Sequence, residues 1–336
     1  MPTVLPRSRI LGTGHYLPPQ VRTNFDIEKM VETSDAWIVE RTGIKQRHIA
    51  PEGIVTSDMA TAAAKNALEM AGLRATDLDM IIVGTVTPDM PMPATAAFVQ
   101  QKLGAGCIPA FDLSAACAGF VFGLSVADQF IGSGMMKHVL VIGVELLSRV
   151  VDWTDRTTCV LFGDGAGAAV LGPADAKAGD AKPRGVLSTS ILTDGSLAHA
   201  LQIPGGGSAS PTTEATIAQR LQYVHMKGQD VFKVAVKNLL SASRNALERA
   251  GMTQDDIDWI CPHQANKRIV DQVVARVEVP SERVLMNIDR VGNTSSASIP
   301  ILLDENYRSG KVKAGDTVLM CALGAGISWG SAIVRL

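Results

Sequence analysis

The chain has 336 residues, of which 46% are hydrophobic and 19% are charged, so it can build a sizeable core and is not a disordered polypeptide. The 31 Lys and Arg residues nearly balance the 33 Asp and Glu residues, and the net charge of −2 gives no reason to expect nucleic acid or anionic lipid as a partner. No apolar run reaches the ~18 residues of a membrane span, and the opening residues lack the layout of a secretory signal. We therefore expect a cytoplasmic protein.

A helix followed by a strand occurs twice along the chain. Segment 64–84 aligns with segment 243–263 at an offset of 179 residues, and nine of the nineteen positions in 65–83 are identical to their partners in 244–262. Each copy predicts a helix that ends at a glycine, Gly72 or Gly251, followed by an acidic turn and an apolar strand. The chain therefore contains an internal duplication.

The duplication extends to a second pair of apolar strands, 138–142 and 317–321, at the same offset of 179. Between the anchors, Asp128 aligns with Asp304 at an offset of 176, and that offset places Cys117 opposite Asn293. We predict two similar halves, 1–173 and 187–336, joined by a crossing loop over 174–183. The nearly continuous apolar strands favour an α/β fold with sheets covered on both faces and a cleft where the halves meet.

The five cysteines include one in a setting that favours reactivity. They are Cys107, Cys117, Cys159, Cys261 and Cys321, and their spacing supports neither a zinc site nor a disulfide framework. A short strand ends near Leu113, and the apolar pattern of a helix begins just after Cys117. A helix N-terminus favours thiolate over thiol, so we expect the pKa of Cys117 to be lowered. The competing interpretation is a small core residue packed among alanines.

Two further polar residues follow predicted buried segments in the second half. His263 comes directly after an apolar strand that begins at Trp259 and runs into Pro262, so its side chain can face a cleft. Asn293 follows Gly292 in a tight turn, where the turn alone would also explain an asparagine. A glycine-rich bend around Ala325, after the last predicted buried strand, is suited to presenting a backbone N–H group.

Six segments together resemble one family of enzymes. They are DLSAACAGF around Cys117, PHQAN around His263, GNTSSAS around Asn293, the terminal GAGISWGSAIVRL, and the segments 33–50 and 154–171. In this order they are similar to β-ketoacyl-acyl-carrier-protein synthase III, the initiating condensing enzyme of type II fatty acid synthesis, over essentially the whole chain. The resemblance implies a duplicated five-layer α/β/α/β/α thiolase-like fold, in agreement with the repeat.

The resemblance also implies a catalytic triad of Cys117, His263 and Asn293. Cys117 would take an acyl group from an acyl-CoA, and malonyl-acyl-carrier protein would then lose CO₂ to give an enolate. His263 and the Asn293 amide would donate hydrogen bonds to the enolate oxygen. The backbone N–H groups of Cys117 and Ala325 would hold the oxyanion formed at the acyl carbon.

Substrate contacts are implied by the same resemblance, for an enzyme with no permanently bound cofactor and no metal, in which acyl-CoA is a substrate. The residues implied for CoA are Trp37, Arg41, Arg156, Phe232 and Asn266. The residues implied for docking of the acyl carrier protein are Lys233, Arg268 and Arg276, and those implied for the acyl pocket are Met92 and Phe162. Met92 would cross the interface of a homodimer to close the pocket of the other subunit.

Three other functions are compatible with parts of these patterns. A papain-like cysteine protease also uses Cys, His and Asn in this order, but the local signature of that family around its cysteine is missing. A non-catalytic partner subunit is disfavoured because all three triad residues are present. A same-fold acyltransferase, such as a starter-unit condensing enzyme of secondary metabolism, stays open.

Overall fold

The computed structural model describes residues 7–177, 182–277 and 279–336. Residues 1–6 of the predicted first half and residues 178–181 of the predicted crossing loop lie outside this range. The strands are β1 Ser8–Tyr16, β2 Gln20–Thr23, β3 Gln46–Ile49, β4 Met80–Gly84, β5 Ala110–Leu113, β6 Val139–Glu145, β7 Gly165–Pro173, β8 Gly185–Thr193, β9 Leu201–Gln202, β10 His225–Met226, β11 Trp259–Pro262, β12 Thr317–Gly324 and β13 Ser328–Arg335. The α-helices are α1 Asn24–Glu28, α2 Asp35–Thr42, α3 Thr56–Ala71, α4 Thr95–Leu103, α5 Gly119–Gly132, α6 Glu214–Ala218, α7 Gly228–Ala250, α8 Lys267–Val277, α9 Ile288–Val291 and α10 Ser298–Arg308.

Two sheets carry the same strand order. The first sheet runs β1-β7-β6-β4-β5, with β4 parallel to β5 and β6 and with β7 antiparallel to its neighbours. The second runs β8-β13-β12-β11, with β11 parallel to β12 and with β13 antiparallel to its neighbours. A parallel bridge between Ile260 and Val284 stands where β5 stands in the first sheet. The repeat in the sequence therefore corresponds to a repeated sheet topology.

Helices cover both sheets in five layers. Helix α5 contacts β4 and β6 of the first sheet and β8, β12 and β13 of the second, and α10 contacts β1, β7 and β11, so these two helices form the central layer. Helix α3 packs on the outer side of the first sheet, and α7 packs on the outer side of the second. The predicted α/β/α/β/α fold is confirmed. The halves share one core, since the central helices contact both sheets.

The central helix α5 is buried because its sequence is apolar almost all round. Phe120, Val121 and Leu124 are 1% exposed or less, and they pack in one cluster with Val318 and Met320 of β12. Burying each such side chain contributes about 1.5–3 kcal/mol to stability. This packing fixes the start of α5, and with it the turn that precedes the helix, relative to the second sheet.

The alignment of Cys117 with Asn293 is wrong. A 3-10 turn at Ala116–Ala118 leads into α5, and a matching turn at Ser295–Ala297 leads into α10, so the offset of 179 persists through both turns. Ala116 and Ser295 even share a positive φ, 45° and 50°. The three-residue difference lies in the helices, because α5 has 14 residues and α10 has 11. By position in the fold, Cys117 corresponds to Ser296.

The predicted helix ends are confirmed at both copies of the repeat. Helices α3 and α7 end at Gly72 and Gly251, each with a φ of 65° and a backbone N–H bonded to a carbonyl of the last turn. None of the helices in the described ranges is long and apolar enough to cross a membrane.

Candidate active site

Cys117 lies in the turn between β5 and α5, at the start of the central helix as the sequence predicts. Its side chain is buried, with 8% exposure. The preceding residue, Ala116, has a φ of 45°, a conformation that costs a residue with a Cβ atom free energy and is concentrated at functional sites. The backbone of Gly324, at the end of β12, lies directly against this turn. The two sheets together therefore fix the position of the thiol.

The thiol of Cys117 is less acidic than the sequence predicts. Its pKa is raised to about 12, first by burial and to a smaller extent by the negative charge of Glu145, while the Ser295 side chain acts in the opposite direction as a hydrogen-bond partner. The prediction of a lowered pKa is therefore wrong, because the cost of burying a thiolate exceeds the stabilisation provided by the helix start. At neutral pH the thiol carries its proton, and that proton must leave as the sulfur attacks.

His263 reaches the same cleft from the end of β11. Its backbone N–H donates to the Cys321 carbonyl at 2.8 Å, and its side chain is 6% exposed. Burial lowers the pKa of the imidazole to about 3, so the ring is neutral at physiological pH. Its Nδ1 lies 2.6 Å from Ser298 Oγ. Ser298 Oγ also lies 2.9 Å from the Ser295 carbonyl, so its single proton can go to either acceptor. When it goes to Nδ1, the proton of the ring sits on Nε2, which makes Nε2 a donor.

Asn293 is fixed by both its backbone and its side chain. Its N–H donates to the Leu161 carbonyl at 2.9 Å, and its carbonyl accepts from Gly163 at 3.0 Å. The side-chain Oδ1 accepts a hydrogen bond from the Ser295 N–H at 2.9 Å, while Nδ2 lies 3.4 Å from the Ala265 carbonyl. Because Oδ1 is occupied by a backbone donor, the amide presents its NH₂ group as the available side-chain donor.

The three predicted triad residues line one cavity of about 160 Å³. Its wall is mostly apolar and includes Phe162 and Phe232, with Asn266 beside the triad. A second cavity of about 220 Å³ shares Cys117, Phe162 and Leu201 with the first; its other lining residues include Val86, Leu147, Ser295 and Ala325. Cys117 therefore lies where two apolar cavities meet, with the triad on one side and Ala325 on the other.

The first cavity continues into an open groove of about 530 Å³ that shares Phe232 and Asn266 with it. Along the groove lie Trp37, Arg41, Arg156, Lys233 and Arg268. Arg41 and Arg156 stand over the indole of Trp37, with guanidinium carbons 5.4 and 5.2 Å from the ring centroid. Permanent positive charge and an aromatic face therefore line the approach to the thiol.

Two predicted residues lie outside these cavities. Met92 is 84% exposed and does not line any of the three. Arg276, near the end of α8, does not line them either, and its Nη1 donates to the backbone carbonyl and side-chain Oε1 of Gln272. The acyl-pocket role of Met92 and the docking role of Arg276 stay predictions.

Sequence reasoning missed three polar residues behind the triad. Ser295 and Ser298 belong to the GNTSSAS segment, but only the fold shows that their hydroxyls reach Cys117 and His263. Glu145 is fully buried at the end of β6 and hydrogen-bonds Thr87 and Ser295. Its signal in the sequence is a charged residue that ends an otherwise apolar strand.

We expect Gly324→Ala to disturb the position of Cys117. An added Cβ would lie 2.5 Å from the backbone N of Cys117 and 2.7 Å from the Ala115 carbonyl, so the turn must shift, at a cost of about 1–3 kcal/mol in unfolding free energy. Thermal unfolding and the rate of Cys117 alkylation by iodoacetamide measure the two effects. Gly195→Ala is the matched control, since its added Cβ meets no atom within 4 Å. If both glycine variants behave alike, the contact does not fix the turn.

A cysteine, a histidine and an asparagine around one cavity of a duplicated five-layer fold define the class of thiolase-fold acyltransferases. The family model for 3-oxoacyl-[acyl-carrier-protein] synthase III matches residues 111–195, and the model for its C-terminal part matches residues 247–336. The β-ketoacyl-[acyl-carrier-protein] synthase III of Caldanaerobacter subterraneus subsp. tengcongensis is 51% identical over 326 residues, which cover 97% of each chain.

Solved structures agree with these matches. The 3-oxoacyl-[acyl-carrier-protein] synthase III of Aquifex aeolicus superposes with a TM-score of 0.88 at 47% identity, covering 98% of this chain and 100% of that one. The priming β-ketosynthase of the R1128 polyketide pathway superposes with a TM-score of 0.89 at 37% identity, covering 99% and 98%. The chain belongs to the β-ketoacyl-acyl-carrier-protein synthase III family of condensing acyltransferases.

Proposed function

We propose that this chain condenses an acyl-CoA primer with malonyl-acyl-carrier protein and so initiates fatty acid synthesis. The observation that carries the proposal is the single cavity lined by Cys117, His263 and Asn293, which continues into the groove beside Trp37. A buried thiol at the end of a channel that a pantetheine arm can follow is what transfer from a thioester requires. Family membership at this identity supports the same reaction.

Acyl transfer begins when the CoA part of an acyl-CoA binds in the groove. Trp37 offers a flat face to the adenine, and the two arginines over its ring, Arg41 and Arg156, offer charge to the phosphates. Phe232 and Asn266 line both groove and cavity, so the pantetheine arm passes them on the way to the thiol. Cys117 attacks the thioester carbonyl, CoA leaves as a thiolate, and an acyl-enzyme remains.

Condensation uses the other two triad residues. Malonyl-acyl-carrier protein loses CO₂, and its thioester oxygen becomes an enolate oxygen. Neutral His263 donates from Nε2 and Asn293 donates from its amide to that oxygen. The enolate carbon then attacks the acyl group on Cys117. The backbone N–H groups of Cys117 and Ala325 stabilise the oxyanion at the acyl carbon, in keeping with their places on the cavity behind the thiol.

The primer occupies the apolar cavity of about 220 Å³ behind Cys117, whose lining includes Phe162. We infer a homodimer in which Met92, exposed in a single chain, closes the pocket of the other subunit. Lys233 and Arg268 lie on the groove and, with Arg276 further along α8, present positive charge to an acidic carrier protein.

We further propose a cytoplasmic enzyme organised as two halves, 1–173 and 187–336, whose reaction uses acyl-CoA as a substrate and no permanently bound cofactor. The described ranges hold no group of three His, Cys, Asp or Glu residues that could bind a metal ion.

The primer is the point on which a second function differs. The R1128 priming β-ketosynthase shares the fold at 37% identity, so loading of a starter unit in secondary metabolism is the competing assignment. We expect this protein to release CoA from acetyl-, isobutyryl- or octanoyl-CoA and then to form a β-ketoacyl product from malonyl-acyl-carrier protein. Stopped-flow detection of CoA and mass spectrometry of the carrier protein measure the two steps. CoA release with no condensation product contradicts the proposal and favours a same-fold acyltransferase, whereas the preferred primer separates initiation of fatty acid synthesis from loading of a starter unit.

A further inference from the structure

A buried carboxyl group beside the active site has no role in the reaction derived above. Glu145 ends β6 and has no exposed surface. Its carboxyl accepts hydrogen bonds from the hydroxyls of Thr85, Thr87, Ser295 and Ser296 and from the backbone N–H of Val86. In the part of the chain that the structure describes, no cation is bonded to it. A carboxyl group solvated only by hydroxyls and one N–H is costly to bury as an anion.

Ser295 connects this carboxyl group to the nucleophile. Its Oγ donates to Glu145 Oε1 at 3.1 Å. Ser295 and Cys117 line the same cavity, and the Ser295 side chain is the hydrogen-bonding group that acts on the pKa of the Cys117 thiol. Its backbone is held in place as well, because its N–H donates to Asn293 Oδ1. Ser295 also has a φ of 50°, a strained conformation that directs its side chain between the two acidic groups. All the links are buried, so water does not compete with them.

We propose that Cys117, Ser295 and Glu145 form a proton relay in which Glu145 takes up the thiol proton during acylation and returns it after condensation. This inference rests on the proposed function only in that Cys117 is taken as the nucleophile. It assigns Glu145 as a residue that acts through Ser295 without touching the substrate.

The proton and electron balance closes over one turnover. As Cys117 Sγ bonds to the acyl carbon, its proton moves to Ser295 Oγ while the Ser295 proton moves to Glu145, and CoA leaves with the electron pair of its C–S bond. The CoA thiolate takes a proton from solvent. In condensation the Cys117 thiolate leaves the acyl carbon, and Glu145 returns the proton through Ser295. The net uptake of one proton is the amount that decarboxylation of a malonyl carboxylate consumes.

The electrostatics of the pair suit this exchange. Burial raises the pKa of Glu145 to about 7, so near neutral pH the carboxyl group can both accept and release a proton. The charge of Glu145 in turn raises the pKa of Cys117, so that the two groups favour sharing one negative charge. The hydroxyl groups around Glu145, on the end of β4 and the turn before α10, do not titrate in this range, and Cys117 is the titratable group that faces it across Ser295.

Iodoacetamide alkylation of the full-length protein tests the relay independently of any acyl-CoA. In the unmodified protein we expect the rate at Cys117 to rise with pH through an apparent pKa of about 7, as Glu145 becomes able to accept a proton. Glu145→Gln keeps the size of the side chain and removes the acceptor. We expect it to slow alkylation at neutral pH by about tenfold or more and to move the rise of the alkylation rate to higher pH.

The sign of the Glu145→Gln effect separates the relay from simple charge repulsion. If Glu145 acts only through its charge, its removal lowers the pKa of Cys117 and alkylation becomes faster, which overturns the relay. An unchanged pH profile at reduced rate indicates only a structural role and overturns it too. Ser295→Ala is expected to match Glu145→Gln. Ser296→Ala is the control, because the Ser296 hydroxyl contacts the same carboxyl oxygen and also donates to the Gly84 carbonyl. In this control the alkylation rate should still rise near neutral pH.

A spectroscopic measurement keeps the test valid if Glu145→Gln is poorly stable. Infrared difference spectra of the unmodified protein, before and after acylation by acetyl-CoA, are expected to gain a band from one protonated carboxyl group, and the band should be absent in Ser295→Ala. Acylation without that band overturns the relay and leaves the proposed function intact. A complete lack of acylation by acetyl-, isobutyryl- and octanoyl-CoA would instead contradict the proposed function, while the alkylation profile would still decide the relay.

Discussion

Cys117→Ser is expected to abolish the acyl-enzyme and to lower overall turnover by about 10⁴-fold or more. The serine hydroxyl keeps the geometry of the turn at Ala116–Ala118 but is a far weaker nucleophile than the thiol in this buried site. Intact-protein mass spectrometry after incubation with acetyl-CoA measures the result directly, since one acyl group adds a fixed mass to the unmodified chain and none to the variant.

The other cysteines supply the control for this experiment. Cys107 is exposed, so Cys107→Ser removes the most accessible thiol and should leave acylation unchanged. Burial raises the pKa of Cys159 to about 11 and that of Cys321 to about 12, and neither shares the hydrogen bond of Cys117 with Ser295. An acyl adduct that survives Cys117→Ser and disappears on replacement of another cysteine would assign the nucleophile elsewhere.

The meeting of the three predicted triad residues at one cavity was predictable because each follows a local pattern that the fold preserves. Cys117 precedes an apolar helix, His263 ends an apolar strand, and Asn293 follows a glycine, and each of these features is encoded within about ten residues. The repeat of helix, acidic turn and strand predicted the duplicated sheets for the same reason. In this fold the ends of the repeated segments meet between the sheets, so three local predictions converge on one cavity.

The properties that depend on distant contacts were not predictable from the sequence. Ser295 and Glu145 are 150 positions apart, and Gly324 meets Cys117 from the other sheet. The pKa of Cys117 was predicted in the wrong direction because the helix start is visible in the sequence, whereas the burial of the sulfur is a result of packing. The pairing of Cys117 with Asn293 failed because an alignment does not show whether three missing residues shorten a loop or a helix.

His263→Ala and Asn293→Asp are expected to slow malonyl decarboxylation by about 10²–10³-fold each, while acylation changes by less than about tenfold. In the proposed mechanism both residues donate hydrogen bonds to an oxygen that becomes negative only when CO₂ leaves. Asn293→Asp is the sharper variant. Its Oδ1 still accepts from the Ser295 N–H, but the amide donor is replaced by a carboxylate oxygen that repels the enolate.

The pH dependence of decarboxylation gives a second measurement of the same roles. Because burial lowers the pKa of His263 to about 3, the ring is neutral across the neutral range and gains a proton only as the pH falls toward that value. We therefore expect the titration of His263 to cause no change in the decarboxylation rate between about pH 5 and 8. A limb near the ordinary pKa of histidine, lost in His263→Ala, would mean that the protonated ring is the working form.

Separate assays of the two half-reactions decide between an enolate role and a general structural one. Release of labelled CO₂ from malonyl-acyl-carrier protein reports decarboxylation, and the burst of CoA from acetyl-CoA reports acylation. Asn306→Ala is the control, because among the described residues its side chain donates only to the Leu302 carbonyl within α10. Equal losses in both half-reactions for His263→Ala and Asn293→Asp would show that these residues support the cavity as a whole and do not stabilise the enolate. A loss confined to decarboxylation requires that their donors act on the charge that develops there.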